Sequence, residues 1–513
     1  MAEPTTAQEQ QARQVVQDYS PEAHAQPLPA GRKHPVVVIA GASGFVGASL
    51  RVALAGRFRW RALTRSEAIV ERDVLRDNTE WRLCDLYSLP KVESAMEGAD
   101  YAIYLVHSML PSSRLVQAKF EDLDLLLADN FVRAAEAAGV KHIIYLGGLI
   151  PNDDHLSPHL RSRMEVEHVL RSRSLPVTVL RAGLIIGPGG SSLRILINLV
   201  RRLPIMLMPQ WTNSETQSID IRDAIRAFSI VLDHPEYWGK TYDLGGHQPM
   251  TYRTMILRTA KLLDRSPRVI DLPINWFSVS RLWVAKLSGV SSQLVSPLLE
   301  SLRHSLHAEN NPLLEEIKPN AISFDDSLLS SVDIHGQPLP NPRSFTQKRD
   351  SRLIKKDSRV RSVQRMPLPP GWDAPYIAKV YGQWLTDKSS SLISVFRDEG
   401  NVIRFTIGIG TMRLKLLELT PTPFSRGGGR RRAFYISGGV LARKVDPPGR
   451  FEFRIFPENY CLIAAIHGFA PRLPWWIYEC SQAVVHYFVM KAFGKYLWRQ
   501  AKEGVEMPPP EEQ

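Results

Sequence analysis

The chain has 513 residues, of which 44% are hydrophobic and 23% are charged, the composition of an ordinary globular protein with roughly two to four domains. Its formal net charge of +12 favours anionic partners such as nucleotide phosphates, acidic lipid or nucleic acid, without choosing among them. Cys84, Cys461 and Cys480 lie far apart, which argues against a disulfide framework or a zinc site, and no apolar run reaches the roughly 18 residues of a membrane-spanning helix.

Residues 1–33 are polar and contain no apolar stretch of the kind found in a signal peptide. Their acidic residues argue against an organellar transit peptide. We expect a disordered tail over these residues, and a cytoplasmic protein whose association with a membrane surface is left open.

Strand-like and helix-like segments alternate from His34 onwards. Strand candidates occur at 35–41, 60–65, 81–86, 101–108, 142–149 and 176–187, with helical patterns at 41–56, 90–97, 115–138 and 158–171. This alternation predicts an α/β fold with a doubly wound parallel Rossmann sheet. Further helix candidates, at 193–200, 221–233, 252–263 and 276–304, predict a substrate lobe over about 188–330. The first domain is therefore expected to span 34–330.

Two further segments follow this domain. Residues 335–370 are rich in proline and basic residues and predict a linker, either a solvated connection or a contact with an anionic membrane surface. Residues 371–500 predict an α+β domain with a helix-grip-like arrangement: a short helix at 373–385, an antiparallel sheet between 391 and 467, and a long helix at 473–497. Residues 501–513 predict a tail.

The long C-terminal helix has one wide apolar stripe, with Trp475 and Trp476 before it and Lys491 and Lys495 within it. The stripe fits a core helix that lies across the sheet. It also fits an interfacial helix with an aromatic anchor and basic flanks. A further use of this domain would be to hold an apolar ligand between the sheet and the helix.

A glycine-rich turn, GASGFVG, joins the first strand to the first helix. Gly41 allows the tight turn, Gly44 lets the backbone approach a pyrophosphate, and Gly47 allows close packing of helix and strand. The helix N-terminus offers unpaired N–H groups and a positive dipole to phosphates. In this β–α context the pattern predicts a dinucleotide site, with candidate residues Gly41, Ser43, Gly44, Phe45, Val46 and Gly47.

The end of the second strand distinguishes NAD from NADP. NAD sites commonly place a carboxylate there to bind the ribose 2′-hydroxyl. This chain has LTRSE, with Arg65 eighteen residues after Gly47. A guanidinium suits a 2′-phosphate and cannot replace a carboxylate, so NADP(H) is favoured over NAD(H). A surface arginine is the other interpretation, and Glu67 is the residue that argues for NAD.

Several motifs together resemble a known family. GASGFVG, CDL (84–86), YLVHSM (104–109), LRAGLIIGPG (180–189) and SIDIRDA (218–224) are similar to those of atypical short-chain dehydrogenase/reductases, in particular NmrA-like and epimerase-like NAD(P)-binding proteins with a C-terminal extension. The resemblance covers about 36–330. VQRMPLPPG (363–371) and IHGFAPRLPWWIY (466–478) resemble, less specifically, the extension found on some of these proteins.

The resemblance implies roles for residues at the strand ends. Asp85 would meet the adenine amino group, with Leu86 beside it. Leu105, Val106 and His107 would line the cofactor after the fourth strand, and Gly183 and Ile185 would lie near the nicotinamide.

The resemblance also implies where catalytic residues should stand. Redox-active members use a Ser or Thr after the fifth strand and a YxxxK helix, in which Tyr is the general acid/base and Lys holds the ribose. In this chain Gly147 and Gly148 occupy the Ser/Thr region, His159 the tyrosine position and Arg163 the lysine position. Arg163 could still bind the ribose and phosphate. His159 could be an acid/base or an ordinary helix histidine, and His107 and Ser108 are alternative polar candidates.

Three functions remain open. The first is an NADP-dependent oxidoreductase on a hydrophobic small molecule, without the Tyr–Lys pair. The second is a non-catalytic NADP(H)-binding redox sensor or structural subunit. The third is a membrane-surface lipid or quinone binder. An anionic substrate is a further possibility if the arginines at 161, 163, 171, 173 and 181 are more than a solvated helix face. Nucleic acid is not expected as a partner, because the basic linker lacks interleaved aromatic residues.

Overall fold

The computed structural model describes residues 34–72, 78–107, 115–153, 155–272, 300–340, 359–388, 393–397, 402–409, 412–422 and 429–504. The chain divides into two compact units. The first is drawn from Met1–Leu110 and Leu127–Thr346, and the second from Pro111–Leu126 and Gln347–Gln513.

Strands and helices alternate along most of the first unit, and strands dominate the second. The strands are β1 Val36–Ala40, β2 Arg59–Thr64, β3 Thr79–Leu83, β4 Tyr101–Tyr104, β5 Leu115–Gln117, β6 His142–Gly148, β7 Val177–Ala182, β8 Ile185–Ile186, β9 Ile205–Pro209, β10 Glu215–Thr216, β11 Ile219–Asp220, β12 Thr241–Leu244, β13 Met250–Thr251, β14 Arg268–Leu272, β15 Val360–Pro367, β16 Ile393–Arg397, β17 Ile403–Ile409, β18 Met412–Pro421, β19 Arg431–Gly438, β20 Arg450–Phe456 and β21 Cys461–Phe469. The α-helices are α1 Phe45–Ala53, α2 Glu67–Arg72, α3 Leu89–Met96, α4 Phe120–Ala137, α5 Pro158–Arg171, α6 Ser191–Arg202, α7 Ile221–Asp233, α8 Tyr252–Leu262, α9 Pro312–Ile317, α10 Phe324–Leu329, α11 Ala374–Lys388, α12 Trp475–Cys480 and α13 Gln482–Glu503.

The first unit is built on a seven-stranded parallel sheet, which confirms the predicted Rossmann fold. Its strand order is β12-β7-β6-β4-β1-β2-β3. The chain first runs outward from β1 to β3 and then returns to β4 on the other side of β1. This reversal is the switch point at which open α/β sheets bind ligands, beyond the carboxyl ends of the strands.

Continuous apolar strands explain why this sheet is covered on both faces. Val37, Val38 and Ile39 of β1 have no solvent exposure, as expected of a central parallel strand. Leu50 of α1 and Phe228 of α7 pack into the same core. This packing fixes the start of α1 directly beyond β1.

The region from residue 184 to 340 adds small elements to the first unit. Three two-stranded sheets pair β8 with β11, β9 with β14, and β10 with β13. The helices of this region, α6 to α10, correspond in part to the predicted lobe. The helix predicted at 276–304 lies mostly outside the described residues.

The second unit is an eight-stranded sheet with helices. The strand order is β16-β17-β18-β19-β20-β21-β15-β5, and all neighbours are antiparallel except β15 and β5. An aromatic core joins the sheet to α11 and α13: the Tyr381 and Phe493 ring centroids lie 5.0 Å apart, and those of Phe451 and Phe453 4.9 Å. An α+β C-terminal domain is thus present, as predicted.

Two strands of this sheet differ from the sequence-based expectation. Residues 115–138 read as one helix, but Leu115–Gln117 form β5 and α4 begins only at Phe120. Residues 335–370 read as a linker, but Val360–Pro367 form β15 between β5 and β21. Arg365 Nε lies 2.6 Å from Asp122 Oδ1, and together the two segments belong to the second unit. β5 pairs with β15, more than 240 residues further along the chain, and β15 also pairs with β21. Long-range pairing thus decides both strands, and no local pattern could indicate them.

A buried ionic cluster lies in the β19–β20–β21 part of this sheet. Glu452 is 1% exposed, and its carboxylate contacts Arg431 Nη2 at 2.7 Å, Arg454 Nη2 at 2.7 Å and His467 Nε2 at 3.0 Å. Burial raises the pKa of Glu452, but the Arg431 and Arg454 charges outweigh it and hold the pKa well below its ordinary value. The cluster therefore stays charged while shielded from water.

The C-terminal helix combines a core face with an exposed apolar face. Ala483, Met490, Phe493 and Leu497 are buried. The exposed large apolar side chains of this helix are Val484, Val485, Tyr487, Phe488 and Trp498. In the described part of the chain, no helix combines the length and hydropathy needed to cross a bilayer. The buried face of this helix thus packs in the core, as one of the two interpretations predicted. Binding of the exposed apolar face to a membrane interface stays a prediction.

Candidate functional site

The glycine-rich loop is shaped by Gly41 and Gly47. Gly41 has φ +89°, a region that favours glycine, and its carbonyl accepts from Gly44 N at 3.1 Å. A Cβ on Gly47 would lie 2.4 Å from the Gly41 oxygen and 2.8 Å from Ala42 Cα, closer than atoms can approach. Helix α1 can therefore meet β1 this tightly only with glycine at position 47.

Gly44 differs from these two glycines because the space beside it is open. Its φ of −76° is ordinary, it is exposed, and a Cβ would meet only the Gly41 oxygen, at 3.3 Å. Gly44 is also the N-cap of α1, and no described side chain caps that helix. The first-turn N–H groups and the open space at Gly44 thus form a cradle suited to a phosphate. Ser43 lies half-buried next to it.

Phe45 and Val46 contribute mainly to packing. A Cβ on Gly187 would lie 3.1 Å from the Phe45 ring, and one on Gly190 would lie 3.3 Å from it. Phe45 therefore packs against the loop after β8, and Val46 packs against the core. Both side chains therefore fix the position of the loop through packing.

Arg65 and Asp85 follow two adjacent strand ends. Arg65 is exposed directly after β2. Cys84 N donates to Thr64 O at 2.8 Å, which extends the pairing of β2 and β3 up to Asp85. The half-buried Asp85 carboxylate accepts from Tyr87 N at 3.2 Å. The Leu86 carbonyl accepts from Asn130 Nδ2 at 2.8 Å, so the turn after β3 is anchored.

The segment after β4 lies directly beside the glycine-rich loop. Leu105 N donates to Ala40 O at 3.0 Å, and a Cβ on Gly41 would lie 3.0 Å from Leu105 Cβ. Leu105, Val106 and His107 are half-buried. Ser108 lies outside the described residues.

Gly183 and Ile185 continue the same edge of the sheet. A Cβ on Gly183 would lie 2.8 Å from Gln217 O, so protein packing alone requires glycine there. Ile185 pairs with Ile219 across β8 and β11. Their closeness to the nicotinamide stays a prediction.

His159 stands at the start of α5 and faces His107. The ring centroids of the two histidines lie 5.0 Å apart. His159 Nδ1 lies 3.1 Å from Ser301 Oγ, and Ser301 Oγ lies 2.9 Å from Ser157 Oγ. Burial, then the charges of Arg163 and His107, hold the pKa of His159 well below its ordinary value. The imidazole is therefore neutral at neutral pH.

Arg163 lies one helical turn after His159, beside the end of β6. A Cβ on Gly148 would lie 3.9 Å from Arg163 Cγ, and the Tyr145 hydroxyl donates to the Arg163 carbonyl at 3.3 Å. No carboxylate in the described ranges pairs with the Arg163 guanidinium. The structure thus brings together His107, His159 and Arg163, which the sequence separates by up to 56 residues.

Most of the other arginines near this helix are paired with carboxylates. Arg181 donates through Nε and Nη2 to both oxygens of Glu167, at 2.9–3.1 Å. Arg171 also pairs with Glu167, and Arg173 pairs with Glu136. Each of these guanidinium groups thus has a carboxylate partner within the protein, and the pairs give no support to an anionic substrate.

Ser157 and Ser301 belong to this site although the sequence did not point to them. Ser157 caps α5 by accepting from Leu160 N at 3.3 Å, and its place before Pro158 is a capping signal that could have been used. Ser301 lies 142 residues from His159 along the chain. Nothing in its sequence neighbourhood indicates a contact with α5.

Comparison with known proteins gives a family for the glycine-rich part of the chain. The model of the NmrA-like family matches residues 33–235. This segment is similar to the NmrA-like family, and we call it the NmrA-like domain. Together with the seven-stranded Rossmann-like sheet, the match confirms the predicted resemblance to NmrA-like proteins.

Known relatives match part of the chain. Auxiliary protein GraX of Staphylococcus aureus is 30% identical over 114 residues, which are 22% of this chain and 36% of that protein, so only about a third of its length is spanned. Sanguinarine reductase of Eschscholzia californica is 26% identical over 251 residues, 41% of this chain and 88% of that protein. Among solved structures, Citrobacter sp. triphenylmethane reductase complexed with NADP(H) is 18% identical, with a TM-score of 0.45 over 57% of this chain and 98% of that one.

Proposed function

We propose that the NmrA-like domain binds NADP(H) and reduces a carbonyl group of a hydrophobic small molecule, with His159 as hydrogen-bond donor to the carbonyl oxygen. The observation that carries this proposal is the position of His159, which contacts Ser301 and faces His107, with burial holding its pKa well below the ordinary value. The similarity to sanguinarine reductase supports a reductase class.

The residues present fit a dinucleotide. The uncapped start of α1 and the open space at Gly44 suit the pyrophosphate, since helix N-terminal N–H groups bind anions. Arg65, exposed after β2, suits the 2′-phosphate of NADP. When bound, the cofactor would supply the hydride, and the proton that converts the resulting alkoxide to an alcohol would come from solvent. This chain's own residues would orient the substrate and stabilise the negative charge that develops on its carbonyl oxygen.

The contacts of Ser157 and Ser301 favour the tautomer of His159 that carries its proton on Nε2. Ser157 has no solvent exposure, and its oxygen already accepts from Leu160 N. Within the described residues, Ser301 Oγ is the only acceptor in reach of the Ser157 hydroxyl proton. A buried hydroxyl without an acceptor costs about 1–3 kcal/mol, which favours donation from Ser157 to Ser301. We propose that Ser301 in turn donates to His159 Nδ1. The imidazole proton then resides on Nε2.

A neutral imidazole with its proton on Nε2 can polarise a carbonyl. It donates a hydrogen bond to the oxygen on which negative charge develops, as preorganised donors do in oxyanion holes. Arg163, which has no described carboxylate partner, keeps a positive charge one turn away and suits the ribose and phosphate of the cofactor. It does not relay a proton, because a guanidinium stays protonated.

The first test concerns the cofactor. Arg65→Ala is expected to raise the Kd for NADPH about 10- to 100-fold and to leave the Kd for NADH unchanged, because hydrogen bonds to a charged group contribute about 1.5–3 kcal/mol. Nicotinamide fluorescence measures both constants. Arg59→Ala is the matched control, since Arg59 is exposed at the other end of β2. An equal loss for NADPH and NADH would contradict the role of Arg65.

The second test concerns catalysis. With NADPH and a panel of aromatic aldehydes and quinones, His159→Asn is expected to lower kcat about 100-fold while the Kd for NADPH stays the same. Turnover is followed as loss of NADPH absorbance. His168→Ala, on an exposed position of the same helix, controls for nonspecific damage. A kcat of the His159→Asn variant equal to that of the wild-type protein would contradict the role of His159.

A second candidate function is cofactor binding without turnover, as in a redox sensor or a structural subunit. Gly147 and Gly148 offer no hydroxyl at the end of β6, which favours this class. Tight NADPH binding with no oxidation across the whole substrate panel would support it over the reductase.

A further inference from the structure

A cavity that is partly open to solvent lies in the second unit, between its antiparallel sheet and α11–α13. Its volume is about 140 Å³. The sheet side is formed by apolar residues such as Phe405, Leu419 and Phe451, and the helix side includes Tyr478, Gln482 and His486. An apolar cavity of about 150 Å³ can hold a benzene ring, so the space is large enough for one ring.

Two polar side chains of this cavity, besides the tyrosine hydroxyls of Tyr381 and Tyr478, come from one helix. Gln482 and His486 are one turn apart on α13, and both line the cavity. Gln482 Nε2 is buried and has no hydrogen-bond partner among the described residues. Leaving such a donor unsatisfied costs about 1–3 kcal/mol, and a bound acceptor would remove that cost.

The charge of the cavity decides the chemical class of its ligand. Its described lining contains no Lys, Arg, Asp or Glu. Burial lowers the pKa of His486 to about 4, so the imidazole is uncharged at neutral pH. A carboxylate ligand would lose its hydration without meeting a cation, whereas a carbonyl or hydroxyl oxygen could accept from the amide.

We propose that this cavity binds a neutral, single-ring apolar molecule whose carbonyl or hydroxyl oxygen lies against Gln482 and His486. The site belongs to the second unit, so it goes beyond the proposed reductase function and does not rest on it. The apolar walls supply affinity through burial, and the two polar side chains select a ligand with one polar end.

The test uses three fluorinated probes of similar shape with the full-length protein in the absence of NADPH. The probes are 4-fluoroacetophenone, 4-fluoroethylbenzene and 4-fluorobenzoate, and ¹⁹F line broadening gives their affinities. We expect the ketone to bind most tightly, the hydrocarbon more weakly and the carboxylate least. Benzoate binding as tight as the ketone, or no binding of any probe, would overturn the proposal.

Variants then locate the bound probe. Leu419→Trp fills the cavity and is expected to abolish binding of the ketone. Gln482→Leu keeps the apolar volume and is expected to weaken the ketone about fivefold, the value of one hydrogen bond of about 1 kcal/mol, while the hydrocarbon binds as before. If Leu419→Trp does not fold, Gln482→Leu carries the test.

Val485→Gln is the matched control. Val485 is 61% exposed on the same helix, outside the cavity lining, so binding of all three probes should be unchanged. Ketone binding that resists both Leu419→Trp and Gln482→Leu would assign the probe to another part of the protein and overturn the proposal. Binding lost equally in Val485→Gln would do the same, in favour of the exposed face of α13.

Discussion

Gly44→Asp is expected to lower the affinity for NADPH by at least about 100-fold without lowering the Tm. The added carboxylate would occupy the open space beside the start of α1, where the pyrophosphate is proposed to bind. Two like charges about 4 Å apart repel by about 4 kcal/mol near a protein surface. The fold should tolerate the change, because the backbone of Gly44 is ordinary and a Cβ there meets only the Gly41 oxygen, at 3.3 Å. Fluorescence titration and calorimetry measure the two effects.

Gly98→Asp provides the control for Gly44→Asp. Gly98 precedes β4 at its amino end, and a Cβ there meets no atom within 4 Å. Its φ of +68° is one that Asp tolerates better than most residues. The same carboxylate at this edge of the sheet should leave NADPH binding unchanged. A Gly44→Asp protein that binds NADPH normally would exclude the glycine-rich loop as the phosphate site.

Glu452→Gln is expected to destabilise the second unit by about 3–5 kcal/mol, because removing one partner from a buried ionic cluster leaves the others uncompensated. In this cluster the uncompensated charges would be those of Arg431 and Arg454, whose distances to Glu452 are both 2.7 Å. Calorimetry should show a fall in the Tm of about 10 °C for a unit of this size.

Glu418→Gln is the matched control for Glu452→Gln. Glu418 pairs with Arg404 and Lys415 in the same sheet but is partly exposed, and such pairs contribute about 0–1 kcal/mol. The folded-state pKa of Glu452 is depressed, so its contribution is present at neutral pH and is lost only as the pH falls below the ordinary range of a carboxyl. Equal destabilisation by both variants would contradict the larger contribution to stability that we assign to the buried Glu452 cluster.

The fold was predictable where local pattern and tertiary structure agree. The apolar runs of β1, β4 and β6 indicate buried parallel strands, and α5 spans the predicted 158–171. β5 and β15 were not predictable, because β5 pairs with β15 more than 240 positions away and β15 pairs with the distant β21. Pairing between segments so distant in the chain leaves no periodic signal in either of them.

The candidate site was predictable to a similar extent. The glycine-rich loop could be identified because its tight backbone geometry requires glycine at fixed positions. A Cβ on Gly47, for example, would collide with the Gly41 oxygen. The sequence also pointed to His107 and His159 individually. Their contact, and the hydroxyl of Ser301 on His159 Nδ1, arise from long-range packing, so the tautomer could not be inferred from the sequence.

The most direct measurement is a titration of the full-length protein with NADPH and with NADH, followed by nicotinamide fluorescence, with Gly44→Asp alongside. We predict tight binding of NADPH, weak binding of NADH, and neither in the variant. If NADH binds as tightly as NADPH, Arg65 does not select the cofactor. If neither binds to the wild-type protein, the NmrA-like domain is a Rossmann scaffold without a nicotinamide site, and the proposed reductase function is wrong.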